Sequence, residues 1–163
     1  MKFFYKIDTN NEVSLGSGTV VPKGFKTYTR GKEPKALLSL LNKEKFSQAV
    51  AAKIEAINTS CAAQITGGFD SSAIGGVRRY RSTQIDQLNL IGVVTGGMDA
   101  YFKCATGNAA AQVWAYELHT IAQLKQVLND GKAFKQTLLQ KAKRLKDSVK
   151  SAKTQADLDL IAW

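Results

Sequence analysis

His119 is the only histidine in the chain. With Cys61 and Cys104 it makes up the stock of imidazole and thiol groups suited to acid–base or nucleophilic chemistry near neutral pH. A Cys–His dyad with either cysteine would be a thiol activated by an adjacent base. Nothing in the spacing orients such a pair. His119 directly precedes Thr120, which opens a helical pattern, so its ring is expected to bond a backbone group at a strand-to-helix corner. The two cysteines are too few for a disulfide framework and too isolated for a zinc site, which needs about four clustered ligands. They read as two half-buried thiols in a reducing compartment. The acids Asp70, Asp86, Asp99 and Glu117 are scattered, and no two share the spacing that places paired carboxylates for general acid–base work. Gly67-Gly68, Gly75-Gly76 and Gly96-Gly97 lack the frame of a phosphate-cradling loop and read as turns. The expectation is a chain without catalytic residues, bound metal or cofactor.

Arg78-Arg79-Tyr80-Arg81 is the densest basic and aromatic cluster. Arginines on phosphates with a ring stacked on a base would suit nucleic acid. In a strand, however, Arg78 and Tyr80 point to one face and Arg79 and Arg81 to the other. One side should pack inward, with an arginine paired to Asp70, Asp86 or Glu117. Nucleic-acid binding is therefore the lesser alternative, even though the chain carries a formal net charge of +10. Much of that excess sits at residues 120–153, which hold nine basic residues and only Asp130 and Asp147 as acids. This is the pattern of a basic helix with a solvated face.

The elements that must position these residues give an α+β fold. Residues 1–33 read as a small β-meander: Phe3 to Ile7, a turn at Asp8-Thr9-Asn10-Asn11, then Val13, Leu15, Ser17, Thr19 and Val21 on one alternating face. Pro22-Lys23-Gly24 makes the next turn, and Phe25 to Tyr28 a third short strand. Residues 34–57 read as a connector helix, opened by Pro34 and striped by Leu37, Leu40, Leu41, Val50, Ile54 and Ile57. Asn58-Thr59-Ser60 is expected to stop it. Residues 58–163 form a sheet unit with packed helices. Val77 to Arg81 is a strand. Thr83 with Asp86 gives a capping-box spacing for a helix whose inward stripe is Ile85, Leu88 and Ile91 and whose end is Gly96-Gly97. Strands follow at Tyr101–Ala105 and Gln112–Tyr116 around a turn at Thr106-Gly107-Asn108. Thr120 with Gln123 opens the next helix, Asp130-Gly131 interrupts it, and Phe134, Leu138, Ala142, Leu145, Val149 and Ala152 form a heptad-like seam. Thr154 with Asp157 caps a last short helix, Asp157 to Trp163.

The longest apolar-leaning stretch, Leu88 to Val94, is broken by Asn89 and Gly92, so no membrane span is expected. The opening residues lack the long apolar run and cleavage site of a secretory signal, which predicts a protein made and kept in the cytoplasm unless it leaves within an assembly. The two helical stripes exceed what a small sheet can cover. The expected docking residues are therefore Leu37, Leu41, Val50 and Ile54 on the connector and Leu138, Leu145 and Val149 on the C-terminal helix, with Arg78, Tyr80 and Arg81 on the strand. Self-association is one use for them.

Several strings of turn, cap and core residues form a pattern. They are Gly68-Phe69-Asp70-Ser71-Ser72, then Arg79-Tyr80-Arg81-Ser82-Thr83-x-x-Asp86-Gln87-Leu88-Asn89-Leu90, Tyr101-Phe102-x-Cys104, and His119-Thr120-x-x-Gln123-Leu124-x-x-Val127-x-x-Asp130-Gly131. The close, Ala152-x-Thr154-x-x-Asp157-Leu158-x-x-Ile161-x-Trp163, belongs with them. Together they resemble a tail-associated domain family of unknown function from bacteriophages and prophages, over residues 58–163 and more loosely over the first 57. The resemblance implies a tail, baseplate or fibre component whose partners are other tail and fibre proteins. It would be synthesised in the bacterial host cytoplasm and carried in the virion. A tail-fibre assembly chaperone is the alternative it leaves. It transfers no catalytic residue.

Overall fold

A computed structural model describes residues 1–106 and 112–163. The elements in order are β1 (Lys2–Ile7), β2 (Val13–Gly18), β3 (Lys26–Tyr28), α1 (Lys35–Thr66), β4 (Phe69–Ser71), β5 (Arg78–Tyr80), α2 (Gln84–Gly96), β6 (Ala100–Thr106), β7 (Val113–His119), α3 (Ile121–Ser151) and α4 (Gln155–Asp159). The fold is α+β, as the sequence pattern indicates. The expected turn at Thr106-Gly107-Asn108 falls largely outside the described residues.

The chain divides into two units, Met1–Lys53 with Ala152–Leu160, and Ile54–Ser151 with Ile161–Trp163. In the first, β1 is the middle strand of an antiparallel sheet ordered β2-β1-β3. Asp8 Oδ1 accepts from the backbone N–H groups of Asn10 and Glu12 at 2.9 and 2.8 Å and so shapes the first turn. The inward face of β2 is not the one expected. Leu15, Ser17 and Thr19 are exposed, and the strand ends at Gly18. The reason is Phe4, which pairs with Gly16 and lies directly over it, so that a Cβ there would collide with the ring. Phe25 packs edge-on against Phe4 with centroids 5.5 Å apart. Leu37 and Leu158 are the fully buried aliphatic side chains of this unit.

In the second unit, β4-β5-β6-β7 form an antiparallel sheet. Phe69, Tyr80, Leu90, Cys104, Leu124 and Val127 make its core. Four expectations are corrected here. The connector helix does not stop at Asn58-Thr59-Ser60 but runs on to Thr66. Packing overrides the weak propensity of those residues: Ile57 and Cys61 are buried, the Cys61 thiol donates to the Leu138 carbonyl at 3.7 Å, and Lys146 Nζ reaches Asn58 Oδ1 at 3.2 Å. The glycines after Thr66 end the helix instead. Gly68 has a φ of +98°, and a Cβ there would stand 2.5 Å from the Tyr80 carbonyl oxygen.

Asp130-Gly131 does not interrupt α3, which is continuous over 31 residues. These two residues are where β4 docks: Ser71 Oγ donates to Asp130 Oδ2, and the Phe69 ring fills the space a side chain at 131 would need. On α2 the capping box of Thr83 and Asp86 forms, and Gly97 ends the helix in the left-handed region. Its inward residues, however, are Leu90, Val93 and Val94. Ile85, Leu88 and Ile91 point to solvent and are 70%, 66% and 46% exposed. The capping box expected at Thr154 also forms, but α4 begins at Gln155 and ends at Asp159.

Candidate functional site

Strand alternation builds two unlike faces on the β4–β7 sheet. The register pairs Tyr80 with Cys104, Phe102 with Glu117, Cys104 with Ala115 and Ala100 with His119, which places Tyr80, Cys104, Glu117 and His119 on one face. There they form a connected polar cluster beneath α3. His119 Nδ1 lies 2.8 Å from the Glu117 carbonyl oxygen, and Nε2 lies 2.8 Å from Tyr80 Oη. A carbonyl only accepts, so Nδ1 carries the proton, and in the neutral ring Nε2 accepts from the tyrosine hydroxyl. The backbone bond expected for His119 is therefore present. Arg78 donates from Nε and Nη2 to the two oxygens of Glu117 at 3.0 and 3.4 Å, a bidentate ion pair. The Cys104 thiol donates to Glu117 Oε1 at 3.5 Å.

The electrostatics follow from this packing. Burial pushes the Cys104 thiol up to about 11, reinforced by the Glu117 charge, and burial likewise lifts the Tyr80 hydroxyl above its ordinary range. The hydrogen bond from Arg78 holds the Glu117 carboxyl below its ordinary value, and the same bond raises the Arg78 guanidinium. A nucleophilic cysteine needs thiolate character, and Cys104 is held as a thiol. Its hydrogen-bond partner is Glu117, while Cys61 lies in the seam between α1 and α3; neither cysteine makes a dyad with His119. What the cluster does is tie β5 to β7 across β6.

The opposite face carries Arg79, Arg81, Tyr101, Lys103, Trp114, Tyr116 and Leu118. Arg79 bonds Asp70 at 3.2 Å and the Gly67 carbonyl at 3.0 Å. The Arg81 guanidinium sits 4.6 Å from the centroid of the Trp114 ring, and Lys103 Nζ 5.6 Å from that of Tyr116. Tyr101, Tyr116 and Leu118 are largely exposed. Arg81, Lys103 and Tyr116 of this face, Phe102 of the other, and Asp86 and Asn89 of α2 bound a cavity of about 220 Å³.

The residues expected to dock partners along the helices are not presented as a stripe. Leu37, Leu138 and Val149 are buried in the chain, Tyr80 is completely enclosed, and Leu41, Val50, Ile54 and Leu145 are half-buried. Leu138 and Ala142 belong to the side of α3 that meets Cys61 and Asn58 at the end of α1. Arg78 is held in its ion pair, and only Arg81 of that set is exposed. On α1 and α3 the exposed large apolar residues include Leu38 and Leu139, which were not among those expected; exposed apolar residues also line up on α2 at Ile85, Leu88 and Ile91, and on β6 and β7 at Tyr101, Val113, Tyr116 and Leu118. The α2 stripe is visible in the sequence; what hides its orientation is a second stripe, Leu90, Val93 and Val94, on the same helix. Among the described residues, no group of three His, Cys, Asp or Glu side chains is placed to hold a metal ion, and no helix is long and apolar enough to cross a membrane.

Residues 48–162 match the family described as "Domain of unknown function (DUF4376)". No curated protein and no solved structure matches the chain.

Proposed function

The chain belongs to the DUF4376 family of unknown function, and we propose that it is a structural component of a phage tail, in the fibre, the baseplate or an accessory position, that works by docking onto other tail proteins. The observation that carries the docking part is the apolar stripe of α2. Ile85, Leu88 and Ile91 recur at helical spacing and face solvent, on a helix whose other side is already committed to the core. Scattered apolar residues on a surface mean little, but a row aligned along one helix is the form of a helix-in-groove anchor. The tail context is supported by the resemblance of the motif strings to tail-associated domains.

Mass spectrometry of purified particles tests this reading. The protein should be present in several copies, and Leu88→Asp, which adds a charge where nothing covers the side chain, should lose it from particles without unfolding it. Its absence from particles would overturn the structural role. Abundance in infected cells together with that absence would leave the assembly chaperone as the surviving reading.

A further inference from the structure

The strand order β4-β5-β6-β7 makes β4 and β7 the edges of the second sheet. An edge strand presents a row of unpaired N–H and C=O groups that templates another strand, and proteins blunt such edges with shortness, proline, lysine, an inward-pointing charge or a bulge. β4 is three residues long. β7 has seven residues, Val-Trp-Ala-Tyr-Glu-Leu-His, with neither proline nor lysine; its one charge, Glu117, is taken up by the ion pair with Arg78 of the same sheet, and its pairing with β6 runs without a break from Ala100↔His119 to Thr106↔Val113. Among the described residues no strand pairs with its outer side. Val113, Tyr116 and Leu118 are 67%, 66% and 58% exposed.

We propose that β7 pairs antiparallel with β7 of a second copy of this chain, about a two-fold axis through Tyr116, joining two four-stranded sheets into one. What covers an open edge is another strand, and the sequence of β7 fits its own copy. In this register Tyr116 meets Tyr116 of the second copy, Trp114 meets Leu118, and Val113 meets His119. Glu117, the one acidic residue of the strand, stands opposite Ala115, so no like charges oppose each other. Trp114, Tyr116 and Leu118 lie on one face, which makes a continuous aromatic and aliphatic row across the junction, with Tyr101 beside it on β6. A closed two-fold contact of this kind stops at two copies. The inference goes beyond the docking reading and does not rest on it, since it concerns a different surface from the α2 stripe.

Light scattering on the full chain, coupled to size exclusion across the micromolar range, should give twice the monomer mass. Tyr116→Lys and Leu118→Lys, both at exposed positions, should each return the monomer mass with an unchanged circular dichroism spectrum. Tyr116→Cys should oxidise to a covalent dimer, because residues facing each other across an antiparallel pair stand about 4.5–5.5 Å apart at Cα, within disulfide reach. Tyr101→Cys, equally exposed one strand in, should not. The native Cys61 and Cys104 are buried and do not compete. A parent protein that is monomeric throughout, a dimer that survives both lysines, or a Tyr101→Cys variant that crosslinks as readily as Tyr116→Cys would each overturn the proposal.

Discussion

Gly131 faces the ring of Phe69 so closely that a Cβ at 131 would stand 2.7 Å from Cζ and 2.9 Å from Cε1. The ring cannot swing away, because it is 4% exposed and stacked on Tyr80 with centroids 5.8 Å apart. Gly131→Ala should therefore destabilise the protein although it raises helix propensity. Overpacking of this kind costs about 1–3 kcal/mol, against a propensity gain of roughly 1 kcal/mol. Urea unfolding should show a lower midpoint, partly restored by Phe69→Leu in the same chain. A midpoint raised by Gly131→Ala would show that β4 yields freely.

Removing the tyrosine hydroxyl from the buried cluster should cost more than its size suggests. Tyr80→Phe leaves His119 Nε2 enclosed without its partner, a penalty of about 1–3 kcal/mol. A double-mutant cycle with His119→Phe should return a coupling energy well above zero, since the two side chains are in direct contact. Additive losses would mean that the bond contributes nothing.

Glu117 gives the fold a dependence on acid. Its carboxyl is held below 4.5 chiefly by the hydrogen bond from Arg78. A depressed value in the folded state means that the pair stabilises fully above the unfolded pKa and loses that contribution as pH falls through the folded one. Asp147 and Asp157 are also depressed, so the useful quantity is the difference between the parent and Glu117→Gln. That difference should be constant near neutrality and shrink as pH drops below about 4.5. A difference that grew in acid would have the wrong sign.

Cys104 should resist alkylation in the native state. Its thiol is raised from 9.0 to about 11 by burial, so the stabilisation linked to the protonated form is complete below the unfolded value and lost as pH rises through the folded one. With Cys61 buried as well, iodoacetamide at mildly alkaline pH should label neither residue until denaturant is added. Prompt labelling of Cys104 in native protein would mean that the cluster opens.

The alternation of the Arg78-to-Arg81 strand was legible because a strand has only two faces. Arg78 and Arg79 must diverge, and acids stood in the sequence for each, Glu117 and Asp70. The capping residues Thr83, Thr120 and Thr154 were legible because the cap is local chemistry, and all three pair with the residue three positions on. The solvent-facing side of α2 was not. Two apolar stripes on one helix are equivalent until Leu124 and Val127, distant in the chain, select Leu90 over Leu88. Gly131 failed for the same reason: as punctuation it reads as a break, and only the arrival of Phe69 from β4 makes it a notch in a continuous helix. The open edge of β7 was unreadable until the strand order placed it outermost, because nothing in Val113 to His119 says which neighbour is missing.

The two arginines also set an order of events. Asp70 and Arg79 are nine residues apart, and their pair can form as soon as the β4–β5 hairpin closes, whereas Arg78 and Glu117 are separated by 39 residues and must wait for β6 and β7 to arrive across α2. Loop entropy favours the short closure first. Refolding followed by pulsed amide exchange should thus show the 69–80 hairpin protected before the junction at Tyr80 and Cys104, and simultaneous protection of both would mean that the sheet condenses in one step.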